Sequence, residues 1–518
     1  MRLIHTMSSS QINNKRIAKN TILLYIRTMF VMVISLYTSR VILQVLGVED
    51  YGVYQVVGGL VAMFSIISSS LSNAISRFIT FEIGSGNTEK LKRIFATSIL
   101  IQIGISILVV IVAEAIGIWF LYNKMQIPED RMEAAQWVLH CSLITFCLNL
   151  LSVPYNACII AHERMKAFAY VSVIEVSLKL TVVYLIAISP IDHLVSYAVL
   201  LTIVAAVIRL VYSVYCHKHF EESKAKIVFD KTIFREMLGF SGWSFFNNTS
   251  FILNTQGVSM LMNVFFGVTV NAARGIATQV EGAVLQFVNN FTTALNPQIT
   301  KSYANGDLQS MHTLICRGAK FSYFSMLLLS LPIIFEANQI LRMWLVNVPD
   351  HTVIFVQLSL IMGMCDCIGT TGYTACVATG KMKRYSLTIT PLIVLEFPLT
   401  LVLFIWGAPV ESTYYLYIVI KILVLFLRMY LMQRMVGLNS VLYVKGVFVP
   451  IVLTTLFSVL FPVFVVSIMD ESLLRLLILT VITIVSVTGA TLMLGMTHNE
   501  RNFILQKCSS ILAKFTKK

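Results

Sequence analysis

The chain has 518 residues, of which 57% are hydrophobic and only 12% are charged, and its formal net charge is +14. Charged residues make up about a quarter of ordinary soluble domains, so this composition, with a mean hydropathy of +0.80, excludes a soluble protein and indicates a multi-pass membrane protein. The positive charge then belongs to loops that set orientation, and it does not indicate a nucleic-acid partner.

Fourteen segments are long and apolar enough to cross a membrane, since a spanning helix needs about 20 mostly apolar residues. The predicted spans are 21–46, 54–80, 94–121, 134–160, 167–189, 193–216, 238–265, 274–300, 314–338, 352–379, 386–407, 411–434, 442–468 and 474–496. The fold class is therefore an all-α polytopic membrane protein with 14 transmembrane helices.

The distribution of basic residues between loops predicts that both termini are cytoplasmic. When basic residues toward the ends of some spans are counted with the adjoining loops, the cytoplasmic side holds 27 of the 39 lysines and arginines, the opposite side holds five, and seven are assigned to the spans. Because loops rich in lysine and arginine stay in the cytoplasm, the asymmetry favours this orientation.

The first part of the chain recurs later with the same landmarks in the same order. At offsets of 217 to 222 residues, Gly47-Val48 corresponds to Gly267-Val268, Asn87 to Asp307, and Arg164-Met165-Lys166 to Lys381-Met382-Lys383. An internal repeat of this length indicates two homologous halves.

The repeat predicts two pseudo-symmetric six-helix lobes whose copies enter the membrane from the same side, related by an axis along the membrane normal. The predicted divisions are an N-terminal lobe (1–216), a basic cytoplasmic linker (217–237), a C-terminal lobe (238–434), two further transmembrane helices (435–496) and a basic cytoplasmic tail (497–518).

Several spans carry acids or lysines near their centres, where ionisable groups are costly unless they face a polar cavity or a partner. Lys179 lies near the centre of span five, and Glu175 precedes it by one turn on the same face. The two side chains either line a cavity or only neutralise each other. Asp366 and Glu396 are also central, and these two acids and Glu175 are candidates for carrying a coupling proton or sodium ion.

Arginines are placed at both ends of the predicted spans. Arg27, Arg77 and Arg209 lie in the inner halves of spans one, two and six. Each alone can extend to the interface, and together they can make a cavity electropositive toward the cytoplasm. Arg40 and Arg274 lie near the outer ends of spans one and eight.

Amide side chains are concentrated in spans seven and eight. Asn247 and Asn254 are a heptad apart on span seven, and Gln286 and Asn290 lie on span eight. Lipid cannot satisfy amides, so these faces either bind neighbouring helices or line a wet cavity. Amides suit sugar hydroxyls, whereas guanidinium groups suit phosphate.

No motif for covalent chemistry is present in the sequence. It contains no phosphate-binding glycine loop, zinc-ligand spacing or nucleophile elbow, and no soluble segment large enough for an ATPase. We therefore expect no catalytic residues, no metal and no cofactor, although coupling to H⁺ or Na⁺ is compatible with the central acids.

The segment Thr38–Leu60, TSRVILQVLGVEDYGVYQVVGGL, contains a basic helix end, a Leu-Gly turn, Glu-Asp-Tyr-Gly and the start of a second helix. It resembles the opening of bacterial polysaccharide transporters of the O-antigen flippase type. Those proteins belong to the multidrug/oligosaccharidyl-lipid/polysaccharide exporter superfamily. The resemblance extends over both repeats and the two additional helices.

The resemblance implies two lobes in a V around a cavity lined by spans one, two, seven and eight. It also implies that an undecaprenyl-pyrophosphate-linked oligosaccharide is flipped across the bacterial inner membrane by alternating access. Basic cavity residues in such flippases, and in related lipid II flippases, engage pyrophosphate or acidic sugars; the corresponding candidates are Arg27, Arg40, Arg77 and Arg274. The implied partners are the lipid-linked glycan, the bilayer, and a polysaccharide polymerase with its chain-length machinery.

Two other functions remain open from the sequence. An ion-coupled drug or metabolite antiporter of the same superfamily would prefer an acidic cavity for cationic substrates. A membrane-embedded polysaccharide polymerase or glycosyltransferase would need a sizeable outer loop with catalytic groups, and the predicted outer loops are all short.

The predicted topology can be tested by labelling single cysteines with a membrane-impermeant reagent in intact cells. Cysteines at Asp50, Asp192 or Asp470 should react from outside, and cysteines at Lys226 or Lys381 should not. All five should react after permeabilisation. Labelling at Lys226 in intact cells would overturn the orientation.

Overall fold

The computed structural model describes residues 2–65, 71–72, 75, 78–79, 82–83, 87–162, 164–224, 228–237, 249, 251–379 and 381–502. Side chains are described from residue 27 onward, except at 165, 290, 293, 294, 297, 301, 304 and 382. Within this part of the chain the regular structure is helical and contains no β-strand. The all-α prediction is confirmed.

The described helices follow one another in this order along the chain. The first are α1 (Arg2–Ala62), α2 (Thr88–Asn123), α3 (Met132–Ala161), α4 (Met165–Ala187) and α5 (His193–His219). A π-helical turn (Leu253–Gly257) leads into α6 (Val258–Phe266), which is followed by α7 (Val268–Ala304) and α8 (Leu308–Phe335). The remaining helices are α9 (Ala337–Trp344), α10 (Thr352–Cys367), α11 (Thr370–Ala378), α12 (Met382–Val394), α13 (Glu396–Ile405), α14 (Ser412–Val436), α15 (Ser440–Tyr443), α16 (Val449–Ile468) and α17 (Leu473–Ala490).

Eleven helical segments of the described residues are long and apolar enough to cross a membrane, which confirms a multi-pass protein. Three of the fourteen predicted spans are not among them as separate segments. Two of these, 54–80 and 238–265, contain many residues outside the described part of the chain. The third, 274–300, lies inside the continuous helix α7, which is rich in polar residues. The count of fourteen stays a prediction.

The chain divides into two compact units. Unit one comprises Met1–Gly275, Leu345–Asp350 and Phe397–Phe404. Unit two comprises Ile276–Trp344, His351–Glu396 and Ile405–Lys518. The division predicted from the repeat, with its linker and its additional C-terminal helices, stays a prediction, and the tail beyond residue 502 lies outside the described residues.

The glycine turn that both repeats share has nearly the same backbone geometry in each copy. Gly47 interrupts α1 with φ 79° and ψ 175°, and Gly267, between α6 and α7, has φ 84° and ψ −175°. Residues with a Cβ atom rarely adopt a positive φ, so these turns require glycine. The agreement at an offset of 220 residues supports the prediction of two homologous halves.

Helices α2 and α8 lie at the same distance along the chain after the two glycine turns, and their N-termini are capped in the same way. The Asn87 side chain accepts a hydrogen bond from the Lys90 amide at 3.0 Å, before α2. The Asp307 side chain accepts one from the Ser310 amide at 3.0 Å, before α8. Both contacts satisfy an amide that the first helical turn leaves without an intrahelical partner.

The basic segments before α4 and α12, which correspond in the predicted repeat, also have similar backbone angles. The residue before α4, Arg164, has φ −80° and ψ 52°, and the residue before α12, Lys381, has φ −89° and ψ 46°. Lys179 lies fourteen residues after the start of α4, and Glu396 lies fourteen residues after the start of α12. The repeat therefore places these two ionisable residues at equivalent positions in sequence register.

Arg131 forms ion pairs that connect its own segment, before α3, to α1 and to the start of α5 at one end of unit one. Its guanidinium donates to both carboxylate oxygens of Asp50, at 2.6 and 2.5 Å, and to Asp192 at 2.7 Å. Burial raises the pKa of Asp192, but hydrogen bonds from Arg131 and from the first amides of α5 outweigh it and leave the pKa below its ordinary value. Because Asp50 and Asp192 are engaged here, the exposed Asp470 is the best outer position for cysteine labelling.

The segment after α5 packs on the opposite end of unit one. Glu222 is buried, accepts a hydrogen bond from His162 Nε2 at 2.6 Å, and lies beside Phe220, whose ring stacks on His162 at 4.3 Å. Farther along, the Asp230 amide donates to Thr97 Oγ1 at 3.2 Å. The described parts of the predicted linker are therefore attached to α2 and α3.

Two buried ion pairs join the α16–α17 hairpin to α8 within unit two. The Arg475 guanidinium donates to both oxygens of Glu336, at 2.7 and 3.0 Å, just beyond the end of α8. In the middle of α8, Lys320 donates to Glu500 at 2.9 Å, in the segment that follows α17. The two contacts hold the hairpin to α8 at its middle and just beyond its end.

Replacing Arg475 by alanine should destabilise unit two, because it leaves the buried Glu336 carboxylate without its partner. We expect a loss of about 2 kcal/mol in the free energy of unfolding, measured by thermal melting of the detergent-solubilised protein. The double variant Arg475→Ala/Glu336→Ala should recover part of the loss. Lys92→Ala removes an exposed ion pair with Glu89 and serves as the control. Equal effects of Lys92→Ala and Arg475→Ala would contradict the prediction.

Candidate functional site

A cavity of about 370 Å³ lies inside unit one, between α1, α3, α4 and α5, with one further wall residue from the π-helical turn. Its volume falls within the range of about 300–1,000 Å³ that is typical of small-molecule sites. The wall also contains small residues such as Gly58 and Gly59. Its polar side chains include Gln55, Ser142, Thr145, Asn149, Glu175, Lys179 and Gln256.

One face of α3 supplies hydroxyl and amide groups to the cavity. Ser142, Thr145 and Asn149 are spaced i, i+3 and i+7, which places them on the same side of a helix. Lipid cannot satisfy these groups, so the face turns toward the interior of the bundle. Sequence reasoning from charges and from spans seven and eight missed them, although their helical spacing was a usable signal.

The predicted pair on α4 contributes the charged part of the wall. Lys179 Nζ lies 2.6 Å from Glu175 Oε1. Their side chains are 46% and 35% exposed, and both line the cavity. An accessible ion pair in the middle of a spanning helix is tolerable only where it meets water or polar groups. The pair keeps this part of the wall electrically neutral.

Arg27 packs against α4 and lies outside the cavity wall. Its Nη2 donates to Ser172 Oγ at 2.9 Å, and its guanidinium lies 4.8 Å from the ring centroid of Phe168. Ser172 precedes Lys179 by seven residues, which corresponds to about 10 Å along the helix. Two cationic groups therefore lie along α4, one near its start and one in the cavity.

Among the described residues, the other predicted arginines of unit one are not part of the cavity wall either. Arg209 stacks on Tyr155, with 4.2 Å between its Cζ and the ring centroid, and Arg40 is half-buried in α1. Arg274 is only 7% exposed and donates to the backbone oxygens of Asn254 and Thr255 at 3.3 and 3.2 Å.

The remaining amides are only partly described. Asn254, a predicted amide, is buried in the π-helical turn. Gln286 is half-buried in α7 and belongs to unit two. Arg77, Asn247 and the side chain of Asn290 lie outside the described residues. Neither Asn254 nor Gln286 is part of the cavity wall.

Unit two brings together the other central charges. Lys421 Nζ lies 3.2 Å from Asp366 Oδ2, and Glu396 is 1% exposed and interacts electrostatically with both. Arg428, near this group, donates to the Tyr385 hydroxyl at 2.9 Å. A Cβ atom on Gly369 would overlap Arg428 Nη1, so glycine makes room for the guanidinium. The described residues contain no group of three or more histidine, cysteine or acidic side chains that is arranged to hold a metal ion.

Solved structures of two transporters share the fold of this chain. A structure titled "Lipid II flippase MurJ, inward closed conformation" aligns with a TM-score of 0.65 and 14% identity, covering 91% of this chain and 98% of that chain. An outward-facing multidrug resistance MATE family transporter of the MOP superfamily aligns with a TM-score of 0.57 and 13% identity, covering 81% and 96%. At these identities the likeness shows the fold.

Sequence comparison identifies one curated relative and a family. The chain is 20% identical over 305 residues to the "Uncharacterized membrane protein EpsK" of Bacillus subtilis (strain 168), and the match covers 58% of this chain and 59% of that protein. The family described as "Polysaccharide biosynthesis protein" matches residues 17–303. Because those residues are more than half of the chain, the protein belongs to the polysaccharide biosynthesis protein family.

Proposed function

We propose that this protein is a flippase that moves an undecaprenyl-pyrophosphate-linked oligosaccharide across the bacterial inner membrane by alternating access. The observation that carries the proposal is the polar cavity of unit one, whose wall combines the Lys179 ammonium group with amides and hydroxyls. Membership of a polysaccharide biosynthesis family supports a glycan substrate, and the fold shared with a lipid II flippase supports a lipid-linked one.

The chemistry of the cavity wall, together with Arg27 beside it on α4, matches the parts of such a substrate. A diphosphate without a cationic partner costs several kcal/mol or more in hydrocarbon, and Lys179 and Arg27 offer cations at two depths along α4. Gln55, Asn149 and Gln256 offer groups that both donate and accept hydrogen bonds, as sugar hydroxyls require. The polyprenyl tail remains in lipid. Arg40, Arg77, Arg209 and the amides Asn247, Asn254, Gln286 and Asn290 remain predicted contacts.

Ion coupling is part of the proposal. Glu175 in the cavity, and Asp366 and Glu396 in unit two, are acids at the centres of predicted spans. Glu175 lies next to Lys179, and the two acids of unit two lie near Lys421. Such groups exchange protons or bind sodium when the lysine moves away, so either gradient can drive the cycle. The two groups lie in different units, and single substitutions can separate their roles.

The orientation and the partners follow from the same proposal. The 27-to-5 distribution of loop charge supports cytoplasmic termini in the inner membrane. The head group then enters from the cytoplasm and is released outside. A polysaccharide polymerase and its chain-length machinery would consume the released units there. This chain supplies transport and not the polymerising enzyme.

A second candidate is an ion-coupled antiporter of cationic drugs or metabolites. The Glu175 carboxylate in the wall and the fold shared with a MATE transporter favour it. The adjacent Lys179 argues against it, because the pair leaves no net negative charge for a cation.

The proposed function is tested by deleting the gene and extracting lipid-linked oligosaccharide. We expect the deletion strain to accumulate the lipid-linked unit on the cytoplasmic face and to lose the surface glycan. The purified protein in proteoliposomes should flip a fluorescent short-chain polyprenyl diphosphate disaccharide. Flipped units supplied from outside should still be polymerised in the deletion strain, and failure there would indicate an enzyme instead.

The roles of Glu175 and Lys179 are separated by a double-mutant cycle. Lys179→Ala should reduce flipping at least about tenfold, because it removes the cation and leaves Glu175 unbalanced. Glu175→Gln should keep most of the activity. The double variant Glu175→Gln/Lys179→Ala should stay inactive if Lys179 binds the diphosphate.

Recovery of flipping in that double variant would show that the pair only neutralises itself. Lys224→Ala is the matched control, since it removes a lysine from an exposed pair with Glu221 outside the cavity. Export of cationic dyes by the wild-type protein, without flipping of the diphosphate probe, would establish the antiporter.

A further inference from the structure

The π-helical turn at Leu253–Gly257 interrupts regular α-helix where the chain reaches the cavity. The Val258 amide donates to Leu253 O, a hydrogen bond between residues five apart. A π-helical turn weakens the regular pattern of backbone hydrogen bonds and leaves carbonyl groups available to other donors. Such turns cost stability, so they persist where a neighbouring group compensates for them.

Arg274 supplies that compensation from the first turns of α7. Its Nη2 donates to the backbone oxygens of Asn254 and Thr255 at 3.3 and 3.2 Å, and its Nη1 lies 3.6 Å from Met262 Sδ. The side chain is 7% exposed. A nearby contact on the same pair of helices adds to this attachment, since Asn271 Nδ2 donates to the Ser259 backbone oxygen at 2.8 Å.

The turn held by Arg274 presents one side chain to the cavity. Gln256, between Thr255 and Gly257, is the only described residue after α5 in the cavity wall. Its Oε1 lies against Gly59, where a Cβ atom would come within 2.8 Å of it. On the other side of the turn, a Cβ atom on Gly257 would come within 2.9 Å of the Phe397 ring. The hydrogen bonds from Arg274 hold the backbone of the turn, and the close packing at Gly59 and at Gly257 restricts it further. Together these contacts fix the position of the Gln256 amide.

We propose that Arg274 is a positioning residue that acts through Gln256, and that Gln256 binds a hydroxyl group of the transported glycan. This inference rests on the proposed function and assigns Arg274 a role other than the diphosphate contact that family resemblance implies. The guanidinium is directed at carbonyl oxygens, which leaves the amide of Gln256 as the group that meets substrate. Gly59 is the second determinant, because only a residue without a side chain accommodates the amide.

The first experiment measures the turn itself and does not depend on substrate. Amide hydrogen exchange of residues 253–262 should accelerate at least about tenfold in Arg274→Ala, because the carbonyl groups lose their external donors. Arg274→Lys keeps the charge but loses the planar fork, and it should give an intermediate rate. Arg342→Ala, an exposed arginine elsewhere, should leave these amides unchanged. Unchanged exchange in Arg274→Ala would overturn the positioning role.

The second experiment measures recognition in proteoliposomes with the polyprenyl diphosphate disaccharide probe. Gln256→Ala, Gly59→Ala and Arg274→Lys should each raise KM about five- to tenfold with little change in kcat, as expected for the loss of one hydrogen bond. In the Gln256→Ala background the other two substitutions should add nothing further. Fully additive effects would contradict action through Gln256.

A probe that lacks the sugars separates recognition from structure. With polyprenyl diphosphate alone, the three variants should match the wild type, because no hydroxyl is present to be bound. An equal loss with both probes would show a structural effect and overturn the assignment of Gln256. If the wild-type protein flips neither probe, the proposed function fails and with it the hydroxyl contact, whereas the exchange experiment still decides whether Arg274 holds the turn.

Discussion

The interior of a membrane cannot hydrate a charge, and the described helices meet this constraint in two ways. Some ionisable side chains are paired in packed surroundings, as Glu336 is with Arg475 and Lys320 is with Glu500. The Glu175–Lys179 pair is different, because it is paired and yet accessible to the cavity. Accessibility at the centre of a spanning helix implies water or substrate. That distinction separates groups that hold the fold from groups that can act on a ligand.

The same constraint applies to the backbone, and it explains how arginines are used. Carbonyl oxygens that a π-helical turn leaves with weakened bonds need donors, and Arg274 provides them. Arg131 holds three segments together through Asp50 and Asp192. Arg428 lies against Gly369, which lacks the side chain that would exclude it. An arginine near a cavity is therefore not by itself a substrate ligand, since its five donors are equally suited to structural oxygens.

Corresponding positions of the predicted internal repeat have similar local geometry. Gly47 and Gly267 share an unusual positive φ, and Asn87 and Asp307 cap their helices through the same contact. Such features persist after most identities are lost, because a turn with positive φ tolerates little besides glycine and a helix start favours a short polar side chain. At equivalent register the copies carry Lys179 and Glu396. The two predicted halves thus have similar turns but different charges at these positions.

The sequence alone determined the helical class, the multi-pass architecture and the Glu175–Lys179 pair, and it predicted the repeat. These depend on hydropathy, on turn chemistry and on neighbours three or four residues apart, which are all local properties. Tertiary structure decided which faces meet. It placed Ser142, Thr145 and Asn149 with Gln256 around one cavity, directed Arg274 to carbonyl groups, and packed Arg27 on Ser172. Sequence position gives the depth of a side chain in the membrane, but the partner it meets depends on how helices distant in the chain pack together.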